Sequence, residues 1–249
     1  MPRYQASSGS RKSFGCLNCL IKGCALRQDR DSQSGNARIE MPTSMTVMPG
    51  AMPLFCAGDP QESLYVVRAG CIKTYTLDIG GKERIRGFYL PGDLIGLDAF
   101  ESGRFPSSAA ALEPSQVCAV PVAELRRAMH FEPRLSLRLI AQMSRELAFA
   151  LALAGDFTAE QRLAAFLLSM ERRLMAKDGF LRLPMSQRDV GNYLRLTPET
   201  VCRTLKGFSR NNWLRREHHG VRLLARQALQ RAAEAVGILQ PEVVEPAAA

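Results

Sequence analysis

Short apolar runs alternate with glycine-containing turns between Val47 and Pro121. Runs such as SLYVVRAGCIKTYTL and IGGKERIRGFYL are rich in valine, isoleucine, threonine and tyrosine, and each is bounded by glycine. Many short strands at this spacing are typical of a barrel or a roll made entirely of β-strands. The pattern therefore predicts a β-roll over residues 46–121, preceded by a separate cysteine-rich segment at residues 1–45.

The period of the apolar positions becomes helical after Pro121. VAELRRAMHF reads as a short helix, and a longer helix of about six turns follows Pro133. Along the longer helix, apolar residues recur at spacings of three and four, which draws a seam that a second copy of the chain could cover. Residues 122–156 are therefore predicted as a dimerisation region, with packing of the same seam on the roll as the alternative. The seam residues are Ile140, Met143, Leu147, Ala150 and Ala154.

Start signals for two short helices lie between residues 184 and 213. Ser186 followed by Asp189 predicts a capping box at the start of the first helix. Thr197 followed by Pro198 predicts an N-cap and a first helical position for the second. Two short helices joined by a tight turn make a helix-turn-helix. Another helix is predicted upstream over QRLAAFLLSMERRLMA, and a two-stranded wing is predicted downstream.

The outward face of the second helix carries groups that can read DNA. Arg203 can donate two hydrogen bonds to guanine, and Glu199 can accept one from cytosine. Thr197 and Thr200 are short donors suited to phosphate. The inward face would carry apolar residues at helical spacing. The predicted DNA-contacting residues are Thr197, Glu199, Thr200, Cys202, Arg203 and Lys206.

The charge of the chain is concentrated in the same region. Residues 158–231 hold 15 Lys and Arg against 6 Asp and Glu, which accounts for the whole formal charge of +9. A basic excess confined to one part of a chain indicates a polyanionic partner for that part. Residues 157–231 are therefore predicted as a winged helix-turn-helix domain that binds double-stranded DNA, followed by a flexible tail at 232–249.

Several classes of protein are disfavoured by what the sequence contains. No apolar run approaches the length of a membrane span, and the basic, serine-rich start lacks the apolar core of a signal peptide. A cytoplasmic protein without a membrane segment is expected. The three histidines, His130, His218 and His219, stand in no catalytic motif, so an enzyme is not indicated.

Three of the seven cysteines lie close together in GCLNCLIKGC. Cys16, Cys19 and Cys24 have the spacing C-x2-C-x4-C. Because a cytoplasmic chain keeps its thiols reduced, disulfides are disfavoured. A metal site is the main interpretation, and reactive or incidental thiols are the alternatives. Cys56 and Cys71 lie in strand-like runs and are predicted to be buried.

From about Met48 to Leu224, the chain resembles the transcription regulators of the cAMP-receptor and fumarate-nitrate-reduction type. The resemblance is carried by PLFCAGDPQESLYVVRAGCIKTYTL, GFYLPGDLIGLDAF, QRLAAF and DVGNYLRLTPETVCRTL. It implies an α+β fold with an N-terminal β-roll sensor domain of the cyclic-nucleotide-binding jelly-roll type, a long dimerisation helix and a C-terminal winged helix-turn-helix. It also implies a homodimer that binds a palindromic site and contacts RNA polymerase, in many cases as an activator.

The oxygen-sensing branch of that family is similar in its cysteines, three of which precede the roll while a fourth lies inside it. Cys16, Cys19 and Cys24 precede the roll here, and Cys118 in LEPSQVCAVP resembles the fourth. Four thiolates are the ligand set of a 4Fe-4S cluster. The resemblance therefore implies one cluster per subunit and oxygen-dependent control of anaerobic or microaerobic genes. Zinc binding or thiol redox chemistry at the same residues is the alternative sensor.

Two local departures from the family affect what the chain is expected to bind. Leu97-Asp98 and Pro106-Ser107 stand where nucleotide-binding members resemble one another in Gly-Glu and Arg-Ser pairs. This argues against a cyclic nucleotide, although Arg104 is nearby, and a cyclic-nucleotide-binding signalling subunit is the second alternative. Cys202 replaces the usual serine of the recognition helix, while Glu199 and Arg203 retain the expected contacts to a TTGAT-like half-site.

Overall fold

The computed structural model describes residues 44–131, 133–174 and 178–236. Its elements follow the predicted order of strands, helices and a second group of short strands, so the α+β prediction is confirmed. The strands are β1 (Ser44–Met48), β2 (Pro53–Phe55), β3 (Ser63–Ala69), β4 (Ile72–Leu77), β5 (Glu83–Tyr89), β6 (Leu94–Ile95), β7 (Ser108–Ala111), β8 (Ser115–Pro121), β9 (Phe180–Arg182), β10 (Leu214–Glu217) and β11 (Gly220–Leu223).

Six α-helices accompany the strands in the described residues. They are α1 (Val122–Phe131), α2 (Pro133–Ala154), α3 (Ala159–Leu174), α4 (Gln187–Leu194), α5 (Pro198–Arg210) and α6 (Arg226–Ala233). The chain divides into two compact units. The first contains the residues through Thr74 together with Phe88–Gln142, and the second contains Tyr75–Gly87 together with the residues from Met143 onward.

The roll consists of two four-stranded sheets, with strand orders β1-β8-β3-β6 and β2-β7-β4-β5. Strand β8 is central in the first sheet, because it pairs antiparallel with β1 on one side and β3 on the other. Gly70, between β3 and β4, has a φ of 83°, and a Cβ there would collide with the Ser115 side chain. The turn therefore requires glycine.

The side chains of β3 alternate between two apolar clusters, as the period of a strand requires. Leu64 and Val66 join one cluster, and Val67 joins the other. The first cluster also takes in Leu135 and Leu139 from the start of α2. The start of the long helix is thus anchored to the same core as the central strands.

The second unit contains the winged helix-turn-helix. Helix α3 begins with a reciprocal cap, in which the Thr158 N–H donates to Gln161 Oε1 (2.9 Å) and the Gln161 N–H donates to Thr158 Oγ1 (3.2 Å). Thr158 is therefore the N-cap of α3. Strands β10, β11 and β9 form a small antiparallel sheet, of which β10 and β11 are the wing.

The prediction of burial is confirmed for Cys71 and wrong for Cys56. Cys71 is fully buried, but Cys56 is exposed. Strand β2 ends at Phe55, and the chain turns at Cys56, whose N–H donates to Asp59 Oδ2 at 2.8 Å. The apolar run in the sequence gave no sign that the strand ends before the cysteine.

Within the described residues, no helix has the length and apolar character needed to span a membrane.

Candidate nucleic-acid interface and sensor thiol

The first helix of the helix-turn-helix begins with the capping box that the sequence predicts. The Asp189 N–H donates to Ser186 Oγ (3.1 Å), and the Ser186 N–H donates to Asp189 Oδ2 (3.0 Å). The helix ends at Leu194, and Arg195 takes the left-handed conformation with a φ of 57°. Helix α4 therefore has defined ends, and the turn that follows it is tight.

Backbone contact between Gly191 and Leu196 sets the geometry of the turn. The Leu196 N–H donates to the Gly191 carbonyl at 2.8 Å. A Cβ at position 191 would lie 2.9 Å from the Leu196 carbonyl oxygen, which is closer than a side chain tolerates. A glycine at this point lets the chain cross α4 closely before α5 begins.

The second helix, α5, has the predicted cap and the predicted inner face. Thr197 Oγ1 accepts from the Thr200 N–H at 3.2 Å, and Pro198 occupies the first turn. Val201, Leu205 and Phe208 are buried. On the other side, Glu199, Arg203 and Lys206 are exposed, while Thr200 and Cys202 are half-exposed. The residues predicted to contact DNA, including the exposed Thr197, are thus all accessible at the surface.

Glu199 is held in its ionised form at the start of α5. A hydrogen bond from its own backbone N–H, followed by one from the Thr197 side chain, lowers the pKa of its carboxyl, and the charge of Arg188 acts in the same direction. An ionised carboxylate is an acceptor only, which suits it to the amino group of cytosine. Arg188 was not among the predicted DNA-contacting residues, and its signal in the sequence is a cation in the first turn of the preceding helix.

The wing is stabilised by ion pairs around Glu217. Arg222 Nε lies 2.7 Å from Glu217 Oε1, and Arg215 Nη2 lies 3.3 Å from the same oxygen. Arg222 Nη1 also donates to the Asp178 carbonyl at 2.9 Å. Both of these arginines therefore hold the wing together, while Arg216 on β10 is exposed.

Helix α2 presents large apolar side chains at its surface. Ile140, Met143 and Leu147 from the predicted seam are exposed, and Ala150 is also exposed. Ala154 is the last helical residue. Leu137 and Leu151 belong to the same stripe, are 65% and 64% exposed, and were not among the predicted seam residues. Their signal is the same helical spacing, since Leu137 precedes Ile140 by three positions and Leu151 follows Leu147 by four.

Cys118 is the one predicted sensor residue inside the described part of the chain. It is half-buried on β8 and packs against the apolar cluster that contains Leu135 and Leu139 of α2. Cys16, Cys19 and Cys24 lie outside the described residues. The geometry therefore links the Cys118 position to the start of the long helix.

Both parts of the chain match known protein families. The family model of the cyclic nucleotide-binding domain matches residues 47–130, and that of the Crp-like helix-turn-helix domain matches residues 161–232. The chain is 34% identical over 222 residues to the transcriptional activator protein FnrA of Stutzerimonas stutzeri. The aligned residues cover 86% of this chain and 91% of that relative.

Two further relatives agree with this match. The fumarate and nitrate reduction regulatory protein of Escherichia coli is 44% identical over 168 residues, which covers 65% of this chain and 67% of that protein. The structure of FixK2 from Bradyrhizobium japonicum superposes with a TM-score of 0.69 at 34% identity, covering 76% of this chain and 96% of FixK2.

Proposed function

Because the chain belongs to the CRP/FNR family of DNA-binding transcription regulators, we propose that it senses oxygen through an iron-sulfur cluster and controls genes of anaerobic or microaerobic growth. Family membership makes it a regulator and not an enzyme. The names of two relatives support the proposal, since one is a fumarate and nitrate reduction regulator and the other an FnrA activator.

The observation that carries the proposal is the place of Cys118. It lies on β8 between β1 and β3, and its side chain packs on the cluster that anchors the start of α2. A ligand attached at Cys118 would therefore lie beside the cluster that includes Leu135 and Leu139 at the base of the long helix. This is the place from which an event in the roll can reach the dimer surface.

The donor set fits the proposed group. Cys16, Cys19, Cys24 and Cys118 supply four thiolates, which is what one 4Fe-4S cluster per subunit requires. When bound, the cluster supplies the oxygen-reactive centre. Cys16, Cys19 and Cys24 would hold the cluster together with Cys118, so a bound cluster would tie the amino-terminal segment to β8 beside the base of α2.

The exposed stripe of α2 supports a homodimer. Five large apolar side chains lie at the surface of one helix: Leu137, Ile140, Met143, Leu147 and Leu151. Apolar stripes of this size on a helix are typical of a surface covered by another subunit. A two-fold dimer places its recognition helices about 34 Å apart, so the operator is a palindrome, with TTGAT-like half-sites. We place the protein in the cytoplasm, where it contacts RNA polymerase.

The same proposal assigns a role to each segment of the chain. Residues 1–45 carry cluster ligands, residues 46–121 form the sensor roll, and residues 122–156 form the dimerisation region. Residues 157–231 read DNA, and helix α6 continues beyond them to Ala233.

Aromatic packing in the roll supports a sensor that does not bind cyclic nucleotides. Phe105 is buried, and its ring stacks on Phe55 with centroids 3.7 Å apart. Arg104, the cation nearest the family's phosphate position, donates from Nη1 to the Gly58 carbonyl at 2.8 Å. Pro106 follows, and it offers neither a charge nor an N–H to a phosphate.

Anaerobic purification of the full-length chain tests the proposal. We expect about four irons and four sulfides per chain after reconstitution. Operator affinity, measured by fluorescence anisotropy with a palindromic TTGAT duplex, should fall when the sample is exposed to air. A scrambled duplex of the same length is the control. A colourless protein that carries zinc, or a clear shortage of iron after reconstitution, would contradict the cluster hypothesis. Either result would favour the zinc or thiol sensor.

A further inference from the structure

Arg162 connects three backbone carbonyls that belong to two different segments. Its Nε donates to the Phe157 carbonyl (2.9 Å) and its Nη2 to the Gly155 carbonyl (2.8 Å). Its Nη1 donates to the Leu194 carbonyl at 3.1 Å. Gly155 and Phe157 lie in the linker between α2 and α3, and Leu194 is the last residue of α4. One guanidinium therefore joins the end of the long helix to the helix-turn-helix.

The chemistry of arginine suits this connection. Its planar guanidinium presents several donors in a fixed arrangement, so three bonds formed together specify direction as well as distance. Arg162 is half-buried, which limits competition from water. A lysine ammonium at the same place is a point charge on a flexible stem and cannot reproduce the fork.

A second contact joins the same two segments. The ring of Tyr193 stacks on Phe149 of α2, with centroids 5.4 Å apart and planes 9° apart. It also meets Phe166 of α3 edge-on at 6.1 Å. Tyr193 and Leu194 are consecutive, so the last turn of α4 is attached to α2 by packing and to the linker by Arg162. The tight turn to α5 follows directly.

From these contacts, we propose that Arg162 is a positioning residue for operator recognition. It fixes the direction in which the helix-turn-helix leaves α2, so that the two recognition helices of a dimer reach their half-sites together. The inference rests on the proposed homodimer and palindromic operator. Loss of the fork would leave each recognition helix folded but poorly oriented.

Specific and non-specific DNA binding should respond differently to this loss. Non-specific binding depends on the phosphate charge that the basic surface neutralises, and it tolerates variable orientation. Specific binding requires both recognition helices in the correct grooves at the same time. A positioning residue therefore affects the operator and spares scrambled DNA.

The test compares Arg162→Gln and Arg162→Lys with wild type, in the full-length chain, by anisotropy on operator and scrambled duplexes. Arg172→Gln is the matched control, because it removes the same charge from an exposed position of the same helix. We expect Arg162→Gln to weaken operator binding by about tenfold, which corresponds to about 1.4 kcal/mol. The affinity of Arg162→Gln for scrambled DNA should stay within about twofold of wild type. The affinities of Arg172→Gln for the operator and for scrambled DNA should also stay within about twofold. Arg162→Lys should fall between Arg162→Gln and wild type.

Two further readouts separate positioning from a loss of folding. Trp213 is the single tryptophan of the chain and stacks on Phe208 of α5 at 5.1 Å, so its emission reports whether the DNA-binding domain is intact. It should not change in Arg162→Gln. Amide hydrogen exchange over residues 155–158 and 194–197 should speed up in Arg162→Gln and not in Arg172→Gln.

Several results would overturn the inference. They are unchanged operator binding, equal losses on both duplexes, a shifted Trp213 emission, or unchanged exchange in the two segments. If wild type does not distinguish operator from scrambled DNA, the proposed operator is wrong. The exchange measurement then still decides the role of Arg162, because it needs no DNA.

Discussion

Met45 on β1 lies directly opposite Cys118 on β8 in an antiparallel pair. On its other side Cys118 is opposite Val66 of β3, which belongs to the cluster shared with α2. The first described strand thus runs beside the proposed fourth ligand. This arrangement places Cys118 between β1 and the cluster that includes the base of α2.

The first prediction concerns the identity of the fourth ligand. Cys118→Ser should lose most of its iron after anaerobic reconstitution, because a hydroxyl is a poor replacement for a thiolate ligand. Cys56→Ser is the matched control, since Cys56 is exposed in the turn after β2. Iron and sulfide counts per chain give the result. If Cys118→Ser keeps its iron and Cys56→Ser loses it, Cys56 is the fourth ligand.

The second prediction concerns the surface of α2. Leu147 is 60% exposed near the middle of the apolar stripe. Covering a leucine by another subunit contributes about 2 kcal/mol, so two copies contribute about 4 kcal/mol. Leu147→Glu removes this contribution and, in the proposed homodimer, introduces one negative charge per subunit into the covered surface. The dimer dissociation constant should therefore rise by about 1,000-fold, as measured by sedimentation equilibrium.

Arg145→Glu controls for the introduced charge. Arg145 is exposed on the opposite side of α2 by helical spacing, and its replacement by glutamate changes the charge by more than Leu147→Glu does. It should leave the dimer unchanged. Equal dissociation in both variants would mean that charge on the helix, and not the stripe, governs association.

Features that depend on neighbouring residues were the most predictable from the sequence. The caps at Ser186 and Thr197 need only side chains within three positions, so the helix-turn-helix could be located closely. The end of β2 at Phe55 depends instead on hydrogen bonds with β7, far along the chain, and the exposure of Cys56 was missed. Arg162 was also missed, because its partners are backbone carbonyls, which any residue provides.

The third prediction separates base reading from phosphate binding on α5. Arg203→Ala should cost about 1–3 kcal/mol on the operator and relax the preference for guanine at one position of the half-site. Lys206→Ala should weaken binding to all sequences alike and reduce the salt slope by about one. Anisotropy titrations over a series of single-base variants and salt concentrations distinguish the two. A uniform loss in Arg203→Ala would assign it to the phosphates.

The last prediction is a pH dependence of wing stability. The hydrogen bond from Arg222, together with the charges of Arg222 and Arg215, holds the pKa of Glu217 below its ordinary value of 4.5. A carboxyl whose pKa is lowered by folding stabilises the folded state above the ordinary value. That stabilisation is lost as the pH falls through the lower folded value. The charge on Glu217 therefore contributes fully near neutral pH and disappears in acid.

Thermal unfolding followed by Trp213 fluorescence measures this contribution. The melting temperature of Glu217→Gln should lie slightly below that of wild type, by a constant difference from about pH 7 down to about pH 5. The two melting temperatures should converge as the pH falls well below 4.5. Arg222→Gln serves as the matched background, because it removes the main partner of Glu217. In that background, adding Glu217→Gln should change the melting temperature little. A difference that persists in acid would show that the Glu217 side chain acts through packing, because protonation removes the ion pairs with Arg222 and Arg215.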